Sequence, residues 1–371
     1  MDILNLEEQL NKHIEPSNEA DLREILHEFK EHHFPNVIDK LRTFIQDKNP
    51  SRSLKQLLRL VESVCLAQLG ENEKASRIIQ YLYKREQYES IDDLLLYGEL
   101  AFMANYKLSR RIMAHTVRKM NDDREGDRLK LARGYLVLGE TEERLDKFKR
   151  AIKYFKQGLS YFTENDVSDQ YMVLYLNFKL GMLYSVLHKR KQAITYLKKA
   201  LHLASDKYIE IQANCLLSLA RLHIDQEEKE EAYYYLKKAI ARLQDSFLNE
   251  SYAYAEILLE KAFYYFNESM YDQAVPFYKQ SISIFNNFQN VPLRKLGMIY
   301  MQYAYSLNQQ TKADNARAGW VYERAIEKLE KTNDRELLEN ALVDVVQFFK
   351  DRKNNRKQRQ YENKLVKLMN A

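Results

Sequence analysis

Residues 175–204 read YLNFKLGMLYSVLHKRKQAITYLKKALHLA. Two apolar segments of helical period flank the polar turn His188-Lys189-Arg190. Gly181 and Ala193 leave room where two antiparallel helices cross closely. Tyr184, Leu197 and Ala200 fill the seam between this pair and the next. The segment reads as a helical hairpin that cannot bury its apolar face alone.

The same frame recurs along the chain. Leu138-Gly139 precedes Ala151, with Phe155 and Gly158 after it; Leu219-Ala220 precedes Ala232, with Leu236 and Ala239 after it. Ala262 and Tyr265 precede Ala274, followed by Tyr278 and Ser281, and a looser copy carries Ala304, Ala318, Tyr322 and Ala325. The anchor alanines 151, 193, 232, 274 and 318 are 42, 39, 42 and 44 residues apart. The surplus length falls in polar stretches such as 163–169 and 245–250. Upstream, residues 57–84 give another copy, with Gly70 at the turn and Ala75 opening the second helix. Residues 90–120 give a degenerate one around Gly98, and residues 335–369 read as a last helical pair.

Composition supports this reading. Only 9 Gly and 5 Pro occur in 371 residues, too few for the turns of a β-rich or doubly wound chain. Apolar residues make up 45%, enough for a sizeable core. The 58 basic and 53 acidic residues leave a net charge of +5, which permits an acidic partner without demanding nucleic acid. Cys65 and Cys215 lie in apolar helical stretches and read as buried free thiols, which fits a reducing compartment. The N-terminus has no apolar run like a signal peptide, and no stretch approaches the apolar length of a membrane span. A cytoplasmic protein is expected.

The Leu-Gly pair, the aromatic three residues on, the small residue opening the second helix and the apolar/Ala pair within it resemble the tetratricopeptide repeat. The expected fold class is all-α, a solenoid of helical hairpins wound into a right-handed superhelix. The repeat length exceeds the usual period of about 34 residues. Expected segments are an N-terminal helical segment (1–50), broken at Pro16-Ser17-Asn18, Pro35 and Pro50 and capped by Ser17 or Asn18, then degenerate hairpins (51–122), the repeat array (123–334) and C-terminal capping helices (335–371).

Such repeats bind extended or helical peptides on the concave face made by the first helix of each hairpin. The register places Arg133, Glu140, Tyr175, Phe178, Lys179 and Met182 on that face, then Asn214, Leu217, Ser218 and Arg221. It continues with Glu256, Glu260, Phe263 and Asn267, then Met301, Gln302, Tyr305 and Asn308. The expected peptide-groove residues are Lys179, Asn214, Arg221, Glu256, Glu260, Asn267, Gln302, Tyr305 and Asn308. Amides hold a peptide backbone, Arg221 takes a ligand carboxylate, and Glu256 and Glu260 favour a cation. Phe178 and Met182 stand where the chaperone-binding carboxylate clamp needs Asn and Lys, which excludes that subclass.

A second resemblance is to the Rap-type regulators of Gram-positive bacteria, through the long repeats, the helical N-terminal segment and the string Asp93-Leu94-Leu95-Leu96-Tyr97 followed by Leu100 and Phe102. It implies a body that binds short signalling peptides and an N-terminal bundle that docks a response regulator or another transcription factor. The phosphatase branch has Gln before this string, where Asp92 stands here.

No catalytic residues, cofactor or metal are expected. No phosphate-binding glycine loop and no nucleophile elbow occurs. The two cysteines match no zinc spacing, and HEFKEHH at 27–33 reads as a solvated face. No helix-turn-helix pattern occurs in residues 1–60. The basic run 350–367 reads as the polar outer face of a terminal hairpin. The leading expectation is a non-catalytic protein- or peptide-binding regulator or adaptor. The alternatives are a Rap-like dephosphorylating or sequestering protein controlled by a signalling peptide, and an RNA- or DNA-associated repeat protein whose cations gather in one stripe.

Overall fold

The computed structural model describes residues 6, 10–85, 90–122, 127–162, 169–204 and 206–370. The linker 163–168, expected as a lengthened inter-repeat loop, lies outside them, as do most of the residues before Leu10. Among the described residues are eighteen α-helices and no strand. They are α1 (Glu19–Lys30), α2 (Phe34–Lys48), α3 (Arg52–Gln68), α4 (Asn72–Arg85), α5 (Ile91–Ala104) and α6 (Tyr106–Asp122). Next come α7 (Arg128–Arg144), α8 (Phe148–Leu159), α9 (Gln170–Val186), α10 (Arg190–Leu203), α11 (Ile209–Ile224) and α12 (Lys229–Gln244). The last are α13 (Tyr252–Asn267), α14 (Tyr271–Phe285), α15 (Leu293–Gln309), α16 (Asn315–Leu329), α17 (Arg335–Asp351) and α18 (Asn355–Asn370). The chain forms two compact units, Met1–Leu183 and Tyr184–Ala371. Within the first, α1 pairs with α2, α3 with α4, α5 with α6 and α7 with α8; within the second, α11 pairs with α12, α13 with α14, α15 with α16 and α17 with α18.

The two helices of a hairpin are buried differently. In α11 Ala213, Leu216, Leu217 and Ala220 are buried, and so are Gln212, Cys215, Leu219 and Leu222 around the helix. In α12 only Ala232, Leu236, Ala239 and Leu243 are buried, a single stripe at helical spacing. In this hairpin the first helix is thus sandwiched, and the second keeps a solvated face. The anchor alanines Ala151, Ala193, Ala232, Ala274 and Ala318 are all fully buried, as the register requires. Gly181 is buried as well.

Close crossing sets the spacing within hairpins. A Cβ on Gly139 would run into the ring of Phe155 across the α7–α8 hairpin, and one on Gly98 would come within 2.7 Å of Met113 across α5–α6. Only a bare backbone lets these pairs interlock.

Most turns inside the hairpins share one device. Asp146, His188, Glu227, Ser269 and Lys353 adopt φ between 54 and 59°, and Gly70 has φ 79°. The next residue's N–H then donates to a carbonyl five residues back: Lys147 to Glu142 at 2.8 Å, Lys189 to Tyr184 at 2.8 Å, Glu228 to His223 at 3.0 Å. This is the Schellman arrangement, which satisfies the orphan carbonyls of the first helix. It is built here mostly without glycine, which accounts for the low glycine content.

The N-terminal expectations need two corrections. Asn18 stands at the N-cap of α1 but its side chain makes no cap bond. Its Oδ1 accepts from the Glu15 N–H at 2.8 Å and its Nδ2 donates to the His13 carbonyl at 3.1 Å. Pro35 does not break a helix; it sits in the first turn of α2, where a missing N–H costs no intrahelical bond. Cys65 and Cys215 are free and buried, and burial pushes both thiols up to about 12.

Lys261 is a charged residue within the second core. It is 3% exposed, and its Nζ has no hydrogen-bond partner among the described residues. The ammonium lies 3.2 Å from the Tyr233 ring centroid, with Tyr265 at 4.8 Å and Tyr264 at 5.4 Å. Burial, with a smaller effect of Lys237, lowers it to about 8.

Two tests follow from this packing. Gly139→Ala should lower stability by about 1–3 kcal/mol through overpacking, less the helix propensity that alanine returns, about 1 kcal/mol. Chemical denaturation reads this, and a raised midpoint would contradict the crossing geometry. The folded-state value of Lys261 lies below the unfolded lysine value of about 10.4. Between them the unfolded chain holds a proton that the folded chain lacks, so stability rises with pH. From about pH 7.5 to about 9.5 the urea midpoint should climb relative to Lys261→Met. Parallel profiles would show that the ammonium is not desolvated.

Candidate functional site

The polar residues of the first helices face one another across neighbouring hairpins. In the first unit, Glu99 of α5 is 5% exposed and accepts both Nε and Nη2 of Arg133 on α7. Lys130 pairs with Asp92 at 2.7 Å. The Tyr175 hydroxyl on α9 donates to Glu140 on α7 at 2.8 Å, and burial, then Glu140, raises that phenol. Lys179 sits on Glu143 with its side chain only 17% exposed.

In the second unit the ladder continues. Arg221 of α11 donates to Glu260 at 2.6 Å and Glu256 at 2.9 Å on α13. Lys295 of α15 pairs with Glu256 from the other side and lies over the rings of Phe285 and Tyr252, 4.6 and 5.2 Å from their centroids. Arg294 donates to Asp334, the N-cap of α17, at 2.6 Å. The two acids that the sequence reserved for a ligand's cation therefore hold Arg221 and Lys295, and Arg221 is committed to them.

Beside this cluster, between α13 and α15, lies a depression of about 400 Å³. Leu259, Phe263, Met298 and Ile299 supply most of its apolar surface, and Glu260, Arg294, Lys295 and Gln302 its polar groups. Gln302 also accepts from the Tyr278 hydroxyl at 3.2 Å. Met298 is 37% exposed. An apolar floor with a few fixed polar groups is the usual chemistry of a recognition pocket.

The other expected groove residues lie elsewhere. Asn267 lines a separate depression with Tyr264 and Lys229. Tyr305 stacks edge-on against Phe266 and Tyr271. Asn308 accepts from Arg352. Asn214 is half-buried, and its backbone carbonyl accepts the Ser218 hydroxyl at 2.8 Å. Glu260, Phe263 and Gln302 are thus the residues expected on the groove face that meet at the depression. Lys295 and Met298 were not singled out from sequence. Pairing first-helix charges of opposite sign one repeat apart would have found Lys295: Glu99 with Arg133, Arg221 with Glu256, Glu256 with Lys295.

The remaining sequence features have structural roles. Leu94, Leu95, Leu96, Tyr97 and Leu100 are core residues, and Asp93 closes the α5 cap with the Ser90 hydroxyl at 2.7 Å. Of HEFKEHH, Glu28 meets His33 at 3.1 Å and Asn36 at 3.2 Å. Among the described residues no group of three His, Cys, Asp or Glu side chains is arranged to hold a metal, and no helix is long and apolar enough to cross a membrane. On α18, Lys357 and Lys364 pair with Glu323 of α16 and with Glu330, its C-cap, at 2.6 and 2.7 Å, which tempers its positive charge.

Comparison with known proteins places this geometry. The tetratricopeptide repeat profile matches residues 132–165, the segment from α7 into the residues after α8. No curated protein sequence matches the chain. Among solved structures, the apo form of RapI is similar with a TM-score of 0.62 at 12% identity, covering 95% of this chain and 97% of its own. Aspartyl phosphate phosphatase F from Bacillus subtilis gives 0.55 at 15%, covering 100% and 95%. The apo form of the quorum sensor NprR from B. thuringiensis gives 0.52 at 12%, covering 98% and 91%. At these identities the likeness is one of fold. The chain is thus an all-α protein of helical hairpins that carries a tetratricopeptide repeat and resembles the Rap and NprR regulators in architecture.

Proposed function

We propose that this protein is a non-catalytic regulator or adaptor that captures a peptide segment of a partner on the first-helix face of its second unit. The depression between α13 and α15 carries the reading: four apolar side chains beside the Gln302 amide and a neutralised ion cluster. Because Arg221, Glu256, Glu260 and Lys295 already satisfy one another, the ligand's anchor is an apolar side chain, with Gln302 holding its backbone. Sites of this kind draw most of their affinity from one or two well-packed anchors. Asn214, Asn267, Tyr305 and Asn308 would serve longer ligands at the margins. The free buried thiols Cys65 and Cys215 favour a reducing, cytoplasmic setting.

Two relatives by fold are described as a phosphatase and a quorum sensor. Sensing suits this chain better than hydrolysis. Asp92, where the phosphatase branch has Gln, is held by Lys130.

A photo-crosslinking residue in place of Met298, in the full chain expressed in its native host, should yield a discrete peptide or protein adduct by mass spectrometry. Phe263→Ala should reduce its yield roughly ten-fold or more, the loss expected for an anchor contact. Adducts indifferent to Phe263, or none at all, would sink the groove reading. Purified protein should also leave a phosphorylated receiver domain at its spontaneous rate of phosphate loss; an acceleration abolished by Asp92→Asn would restore the enzyme reading.

A further inference from the structure

The string YYYLKK at 233–238, in α12, has no part in the groove. Its two lysines belong to a pattern that runs across the second unit. Counted from Ala193, Ala232 and Ala274, Lys198, Lys237 and Lys279 each stand five residues on, and Lys199 and Lys238 six on. All five lysines are exposed, and none makes an ion pair among the described residues.

Acids do not cancel this charge. α10 has none. Glu230 and Glu231 lie in the first turn of α12 and Asp272 in the first turn of α14, each short of the lysines by more than a helical turn. Asp272 is held by the Thr311 hydroxyl at 2.8 Å, and Asp206, beyond α10, by Arg242 at 2.9 Å. Behind the face lies Lys261, whose buried ammonium has no hydrogen-bond partner among the described residues and feels the charge of Lys237.

Aromatic rings stand among these cations. Tyr234 is 50% exposed, with the Lys238 ammonium 4.4 Å from its ring centroid, and Tyr233 is 38% exposed over Lys261. The exposed residues of α10, α12 and α14 include no Leu, Ile, Val, Met or Phe. The face therefore has nothing to insert into a bilayer and no apolar seat for an amphipathic helix. Rows of cations one repeat apart, about 10 Å, suit a chain whose charges recur at regular steps. Open tyrosine rings suit bases that are free to stack; a duplex keeps its bases on one another and leaves such rings unused. We propose that α10, α12 and α14 bind a single-stranded nucleic acid, with Lys198, Lys237 and Lys279 along its phosphates and Tyr234 under a base. This face is separate from the depression between α13 and α15, so the peptide reading stands or falls independently.

The test uses the full chain and a fluorescein-labelled oligouridine of about 20 nucleotides, long enough to cross several rows. Fluorescence anisotropy should show binding that weakens as salt rises. Lys198→Gln, Lys237→Gln and Lys279→Gln together should weaken it roughly ten-fold or more at about 0.1 M salt. They should also flatten the plot of log K against log salt by about 2, since each phosphate contact of a single strand contributes about 0.7. Arg356→Gln, Arg359→Gln and Lys367→Gln together on α18, the same change in net charge, should leave binding unaltered. Tyr234→Ala should weaken it roughly five-fold or more with the salt slope unchanged, the mark of a stacked base. Equal losses from both triple variants would reduce the effect to net charge and overturn the proposal. Absence of binding, indifference to Tyr234→Ala, or tighter binding of a duplex of the same length or of phosphatidylglycerol vesicles would overturn it as well. Circular dichroism identifies any variant that misfolds; Lys237→Gln alone, which should lower the slope by about 0.7, then replaces the triple variant.

Discussion

The close crossing of two helices within each hairpin is the constraint on which the rest depends. Gly139 under Phe155 and Gly98 under Met113, with fully buried alanines opening the second helices, bring backbones together without intervening side chains. A first helix inside the stack, such as α11, then has packed surface on most of its circumference. Polar side chains there cannot all reach water, and a buried charge left unpaired is costly. The result is the ladder from Glu99 to Arg133 in one unit and from Arg221 through Glu256 to Lys295 in the other.

That ladder changes what the first-helix face can recognise. A wall of free amides and charges would read a ligand by ion pairing. A wall whose charges are matched in place reads it by shape and apolar contact instead, as the surface of Leu259, Phe263, Met298 and Ile299 allows. Desolvating groups that already hold their partners costs less than breaking those pairs for new ones.

Much of the fold was legible because its signal is local. Glycine and alanine at crossing points recur at repeat spacing, and each of the five anchor alanines is buried as that spacing demands. The turns were less legible. His188, Glu227 and Ser269 take left-handed backbone angles that are usually glycine's, so their sequence reads only as polar. The site was legible in part. The register put Arg221, Glu256, Glu260 and Gln302 on first helices but could not show that the first three would pair, because partners one repeat apart carry no mark within a repeat. Lys295 and Met298 fell outside the positions counted as facing the groove, since they lie in the first turns of α15 rather than its middle. Asn18 looked like a cap by residue type and instead stitches the preceding turn.

The coupling between Arg221 and Glu260 tests most directly whether the face is committed to itself. A double-mutant cycle with Arg221→Ala and Glu260→Ala, read by chemical denaturation, isolates that pair from the substitutions' other effects. The account expects a favourable coupling of about 1–2 kcal/mol, above that of an exposed pair and below that of a fully buried one. A coupling indistinguishable from zero would mean that the arginine and the carboxylate stand free, and that the face is an open polar wall after all.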